Sequence, residues 1–92
     1  MKKIAVICGA GIATSTYIQS MIENLCKENN ISVQISKGML LEAEQLVQGA
    51  DFIVATVEIN KNYGIPVING VPLLTGIGQD DTIKKILDEL NK

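Results

Sequence analysis

The segment Cys8-Gly-Ala-Gly-Ile-Ala-Thr-Ser15 sets a thiol, two glycines and two hydroxyls close together, and it is the stretch of this chain with the makings of a chemical site. Gly9 and Gly11 allow positive φ, so successive backbone N–H groups can turn inward around an anion. A helix beginning near Ser15 adds the positive end of its dipole and its unpaired amides. Such surroundings favour a thiolate over a thiol, which makes Cys8 the candidate nucleophile. Three oxygens of a phosphoryl group on that sulfur would suit the loop formed by Gly9, Ala10, Gly11, Ile12, Ala13, Thr14 and Ser15, with the Thr14 and Ser15 hydroxyls helping. The plainer reading of Cys8 is a small residue closing a buried strand. Its exit into a Gly-x-Gly loop and a Thr-Ser-Thr helix start favours chemistry. Cys26 sits at helical spacing on an apolar stripe with no such loop and reads as packing.

Three chemistries could use the loop. A cysteine phosphatase needs arginine six positions after the nucleophile, and here that position is Thr14. Without a guanidinium the charge of the phosphoryl transition state lacks its main stabiliser, so hydrolysis should be poor. A nucleotide-binding module would want Gly-x-Gly-x-x-Gly and an acid closing the second strand, yet Thr14 stands for the third glycine and Ser36-Lys37 close that strand. Transient storage of phosphate on sulfur, between a donor and an acceptor protein, accounts for both the cysteine and the missing arginine.

Composition narrows the field further. The chain has no histidine, which removes Ser-His and Cys-His catalysis, phosphohistidine carriage by this chain itself and His-ligated zinc. All eight basic residues are lysines, against 10 acids, for a net charge of -2. With Trp 0, Tyr 2 and Phe 1 there is neither a stacking platform nor a charge footprint for nucleic acid, which is excluded as a partner. No metal and no cofactor is expected. Cys8 and Cys26 lack CxxC spacing. The apolar run after Lys2-Lys3 is too short for a signal peptide or a membrane span, so a reduced cytoplasmic setting is expected.

The elements that must hold this loop follow from periodicity. With 92 residues, 47% of them hydrophobic, a single domain spanning 1–92 is expected. Residues 3–8 form an unbroken apolar run, the mark of a central parallel strand. Residues 9–14 read as a loop, and from Ser15 the spacing of Ile18, Met21, Ile22, Leu25 and Cys26 predicts a helix ending near Asn29-Asn30. Residues 31–36 alternate like a half-buried strand nearer an edge, and Gly38 begins a turn. Leu40, Leu41, Ala43, Leu46 and Val47 predict a short amphipathic helix closed by Gly49. Residues 51–56 repeat the buried-strand pattern, 57–64 read as a loop or single turn, and 65–68 form a brief strand whose Pro66 argues for an edge. Asn69-Gly70 and Pro72 mark a turn, residues 73–78 an apolar glycine-rich loop, and Asp80 opens a final helix buried through Ile83, Ile86, Leu87 and Leu90. The expected fold is α/β, an open four-stranded parallel sheet flanked by helices, with the phosphate-binding cysteine loop after the first strand. The loops after Cys8, Thr56 and Ile68 would share one rim, where ligands of such sheets bind.

The run Lys3-Ile-Ala-Val-Ile-Cys8-Gly-Ala-Gly-Ile-Ala-Thr-Ser-Thr16 resembles the active-site loop of enzyme IIB components of the bacterial phosphoenolpyruvate-dependent sugar phosphotransferase system, most closely the galactitol type. Ile65-Pro-Val-Ile-Asn-Gly70, Val71-Pro72 and Thr75-Gly-Ile-Gly78 are similar to the second half of that family, so the likeness runs along the whole chain. It implies a four-stranded parallel sheet with helices on both sides. It also implies that Cys8 takes phosphate from a IIA phosphohistidine. The phosphate then passes to a sugar or polyol, galactitol for this type, bound in the membrane IIC component at the inner face of the membrane. Ile12, Leu73, Leu74 and Ile77 could form a docking patch for both partners, with Glu58 and Lys61 nearby.

Overall fold

The computed structural model describes residues 2–9 and 12–92, and of residues 12–15 the backbone alone. Chain order is β1 (Lys2–Cys8), α1 (Ile12–Glu28), β2 (Val33–Met39), a 3-10 turn (Leu40–Glu42), α2 (Ala43–Leu46), β3 (Phe52–Ala55), β4 (Val67–Asn69), α3 (Val71–Thr75) and α4 (Gln79–Leu90). The four strands form one sheet in the order β2-β1-β3-β4, and all three pairings are parallel. The expected class and layout are those observed: the two unbroken apolar runs, β1 and β3, lie at the centre, and the alternating strand and the proline-led strand lie at the edges.

Each face of the sheet has its own core. Ile4, Val6, Cys8, Phe52, Val54 and Ile68 face α1, α3 and α4. Ala5, Ile7, Ile53 and Ala55 face α2 and the segment leading to Ile65. Burial on both faces is why β1 and β3 are continuous in hydrophobicity rather than alternating. At the amino end the central strands are tied by Asp51: its amide donates to Lys3 O (2.7 Å) and its carboxylate accepts from the Lys3 amide (2.8 Å).

Several boundaries differ from expectation. Helix α1 begins at Ile12, not Ser15. The glycines end at residue 11, so Ile12 is the first position without their extra cost in a helix. The helix closes where the asparagines predict. Asn30 takes φ +56° while the Ile31 amide reaches Cys26 O (2.8 Å) and the Asn30 amide Lys27 O (3.3 Å), the paired bonds of a Schellman ending. That ending absorbs Ile31, and β2 starts at Val33. Gly38 does not begin a turn; it lies inside β2 beside Ile7. A Cβ there would come within 2.9 Å of Glu42 Oε1 and Leu46 Cδ1, so the glycine is what lets the 3-10 turn and α2 close over the strand.

The expected helix over 40–47 is split, with Leu41 98% exposed instead of buried, while Ala43 and Leu46 carry the packing. Residues 71–75 form a helix where a loop is expected. Asn69 Oδ1 accepts from the Val71 amide (3.0 Å), Pro72 sits where a first-turn N–H is not needed, and Gly76 ends the turn at φ +80°. The proline and glycines that read as loop punctuation are therefore the start and stop of a short helix.

Candidate functional site

Cys8 is the last residue of β1, and β2 and β3 lie on opposite sides of that strand. The chain turns one way out of β1 to reach β2 and the other way out of the neighbouring β3 to reach β4. The crevice at the carboxyl end of β1 is therefore the switch point at which open α/β sheets bind their ligands. Cys8 pairs with Met39, and the Thr56 amide donates to Ile7 O (3.0 Å), so the ends of β2 and β3 flank the cysteine. In-phase residues Ile4, Val6 and Cys8 share the cluster that includes Ile18 and Ile22 of α1. The Cys8 side chain thus leaves the sheet on the side of the helix that follows it.

Gly9 does not use positive φ, contrary to expectation; the described glycines that do are Gly49, Gly64, Gly76 and Gly78. Its role is close approach: a Cβ at residue 9 would collide with Val57 Cγ1. The loop after β1 passes directly against the loop after β3, and only a residue without a side chain fits there. Ala10 and Gly11 lie outside the described residues, as do the side chains of Ile12, Ala13, Thr14 and Ser15. The earlier start of α1 moves the amino end of the helix towards Cys8, and the first four amides of any helix have no partner within it. Among the helical residues those amides belong here to residues 12–14.

The shared rim continues into an open groove of about 390 Å³ between the loop after β3 and β4, lined by Thr56, Val57, Glu58, Ile59, Asn69 and Val71. Of the expected apolar patch, Leu74 and Ile77 are exposed, but Leu73 is 2% exposed and packs in the core beneath α3. Leu73 is therefore no docking residue: helix α3 turns it inward. Lys61 pairs with Glu44, which lowers the Glu44 carboxyl and raises the Lys61 ammonium through their hydrogen bond, and it lies over the Tyr63 ring. The pair joins the 57–64 loop to α2 at the surface.

Both cysteines are 1% exposed, so burial does not tell them apart. Position does. Cys26 lies fourteen residues along α1 from Ile12, which at 1.5 Å per residue is about 21 Å from the rim end of the helix. Burial pushes the Cys26 thiol up, and Glu23 adds to the effect.

One contact at this end was missed from the sequence: Lys37 Nζ donates to Thr16 Oγ1 (3.0 Å), joining β2 to the first turns of α1. The signal was present. Val33 and Ile35 set the inward phase of the strand, and Lys37 falls on that same phase at its carboxyl end.

Among the described residues no group of three or more His, Cys, Asp and Glu could hold a metal ion, and no helix is long and apolar enough to cross a membrane. The family model described as PTS system, Lactose/Cellobiose specific IIB subunit matches residues 3–89. Among curated proteins, the chain is 41% identical to the phosphotransferase enzyme IIB component SgcB of Escherichia coli K12, covering 98% of this chain and 97% of that protein. It is 36% identical to the PTS system galactitol-specific EIIB component of the same organism, covering 94% and 93%. It is 34% identical to the galactitol-specific EIIB component of Shigella flexneri, with the same coverage of 94% and 93%.

Proposed function

The chain belongs to the family of PTS system lactose/cellobiose-specific IIB subunits, and from that premise we propose that it is a phosphotransferase carrying a phosphoryl group on Cys8. The donor is a phosphohistidine of a IIA component, and the acceptor is a sugar or polyol held by a membrane IIC component. Galactitol is the acceptor for which two of the relatives named above are specific. Residues 1–92 act as one IIB unit that meets the inner face of the membrane through IIC.

The observation that carries this reading is the place of Cys8 at the carboxyl end of β1, at the switch point and ahead of the amino end of α1. In the first step the sulfur attacks phosphorus as the P–N bond of the donor breaks, and the electron pair of that bond returns to the imidazole. In the second a hydroxyl oxygen of the acceptor attacks, the S–P bond breaks with its pair returning to sulfur, and the hydroxyl proton passes to a base of the acceptor protein. The backbone amides of Gly9, Ala10, Gly11, Ile12, Ala13, Thr14 and Ser15, with the two hydroxyls, hold the phosphoryl oxygens between the steps. Because Cys8 is 1% exposed, the sulfur has to be uncovered when the donor docks.

With no arginine in the chain, the phosphoryl group is held without being passed readily to water. Incubation with a panel of phosphorylated IIA components should add one phosphoryl group by intact mass, while turnover of an aryl phosphate stays near background. Sustained multiple turnover lost on removal of the thiol would instead mark a cysteine phosphatase.

A further inference from the structure

We propose that Lys37 is a positioning residue of the phosphoryl site, its ammonium supplying the positive charge that the arginine-less loop lacks. The proposal rests on Cys8 carrying phosphate as proposed above. Lys37 stands beside Val6 in the parallel ladder, two residues before the Cys8–Met39 pair, and two residues of strand are about 6.6 Å. Neighbours in register share a face, so Lys37 leaves the sheet on the side of Val6, Cys8 and α1. Its ammonium meets Thr16, four residues into α1 and so about 6 Å from the helix start. It is held between the strand that ends beside the cysteine and the first turns of the helix that follows that cysteine.

The electrostatics of that position are unbalanced. A cation is disfavoured near a helix amino end, where the dipole is positive. The first turn of α1 has no acidic residue to offset it, and among the described residues no carboxylate pairs with Lys37. Of the seven other lysines, three have partners away from this site: Lys3 donates to Gln48 O, Lys61 pairs with Glu44 and Lys92 with Glu89. Dipole and ammonium therefore add at one end of one helix, and a dianion on Cys8 supplies the missing charge. Lysine is a mobile point charge rather than a planar fork. It attracts the phosphoryl group without clamping its oxygens in the transition-state arrangement, which suits storage more than hydrolysis.

The test uses the full chain phosphorylated by the IIA panel and follows the phosphorus resonance of the phosphocysteine against pH. Lys37→Gln should raise the apparent second pKa of the phosphoryl group by about one unit, and Lys37→Arg should return it towards the original value. Lys37 is exposed, and a thermal melt of each variant accompanies the titration. An unchanged titration in Lys37→Gln, or an equal shift in the Gln and Arg variants, overturns the role of the ammonium while leaving Cys8 as the carrier. Failure of the original chain to take phosphate from any donor overturns the carrier reading, and this proposal with it.

Discussion

Replacing Cys8 with serine abolishes acceptance of phosphate from a phosphorylated IIA component, while Cys26→Ser keeps it. The two thiols are equally buried and differ in where α1 puts them, one at its amino end and one near its carboxyl end. A serine hydroxyl at residue 8 keeps the shape of the site but presents a far weaker nucleophile than a thiolate. Serine at residue 26 meets a different difficulty. It places a hydroxyl in the cluster of Ile18, Ile22 and their neighbours, at a cost of about 1–3 kcal/mol where no partner awaits it. The expected pair of results is therefore a stable protein that takes no phosphate and a less stable one that does. Intact mass with each variant measures the first property and a denaturant titration the second. Label retained by Cys8→Ser contradicts the assignment.

Phe52→Ala should be the most damaging single truncation of the fold. Phe52 is fully buried, opens the central strand β3 and stands beside Ile4 across the ladder. It is also the chain's single phenylalanine, so no other side chain of that size fills the space between the sheet and its helices. Loss of a buried Phe side chain costs about 3–5 kcal/mol, against a total of about 5–15 kcal/mol for a native domain. For a chain of this length each kcal/mol lowers Tm by about 4–8 °C, so calorimetry should show a fall of at least about 12 °C, or an unfolded protein. The loss reaches function because β3 sets the rim: its pairing with β1 brings the Thr56 amide to Ile7 O, beside Cys8. A fall of less than about 4 °C would mean that this face of the sheet is not the main core.

The central strands were legible because burial on both faces leaves a short, uninterrupted apolar run. The last helix was legible from Ile83, Ile86, Leu87 and Leu90 with Asp80 and Asp81 in its first turn. What misled were residues with two local meanings. Gly9 has the composition of a positive-φ residue but owes its identity to Val57, a neighbour forty-eight positions away. Pro72 and Gly76 punctuate a loop in sequence and delimit a helix in space, and only the packing of Leu73 decides between the two. Gly38 likewise answers to Glu42 and Leu46, which come over β2 only once the following turn has formed. The cysteine loop stands out as a candidate from its own residues; its contact with the loop after β3, Gly9 against Val57, required the strand order β2-β1-β3-β4.

The central claim, that the phosphoryl group sits on Cys8 where β1 runs into α1, is tested most directly by amide spectra of the protein before and after phosphoryl transfer. The new group brings a charge of about −1.5 to −2 and three acceptor oxygens, and charge-assisted bonds from amides to those oxygens are short and strong. Shifts and slowed hydrogen exchange should concentrate in residues 9–17. Smaller changes are expected at 56–59, which Gly9 and Ile7 touch through Val57 and Thr56, and at 75–78. The interiors of β3 and α4 should be unchanged. Large changes elsewhere in the chain, with residues 9–17 unaffected, would contradict the account.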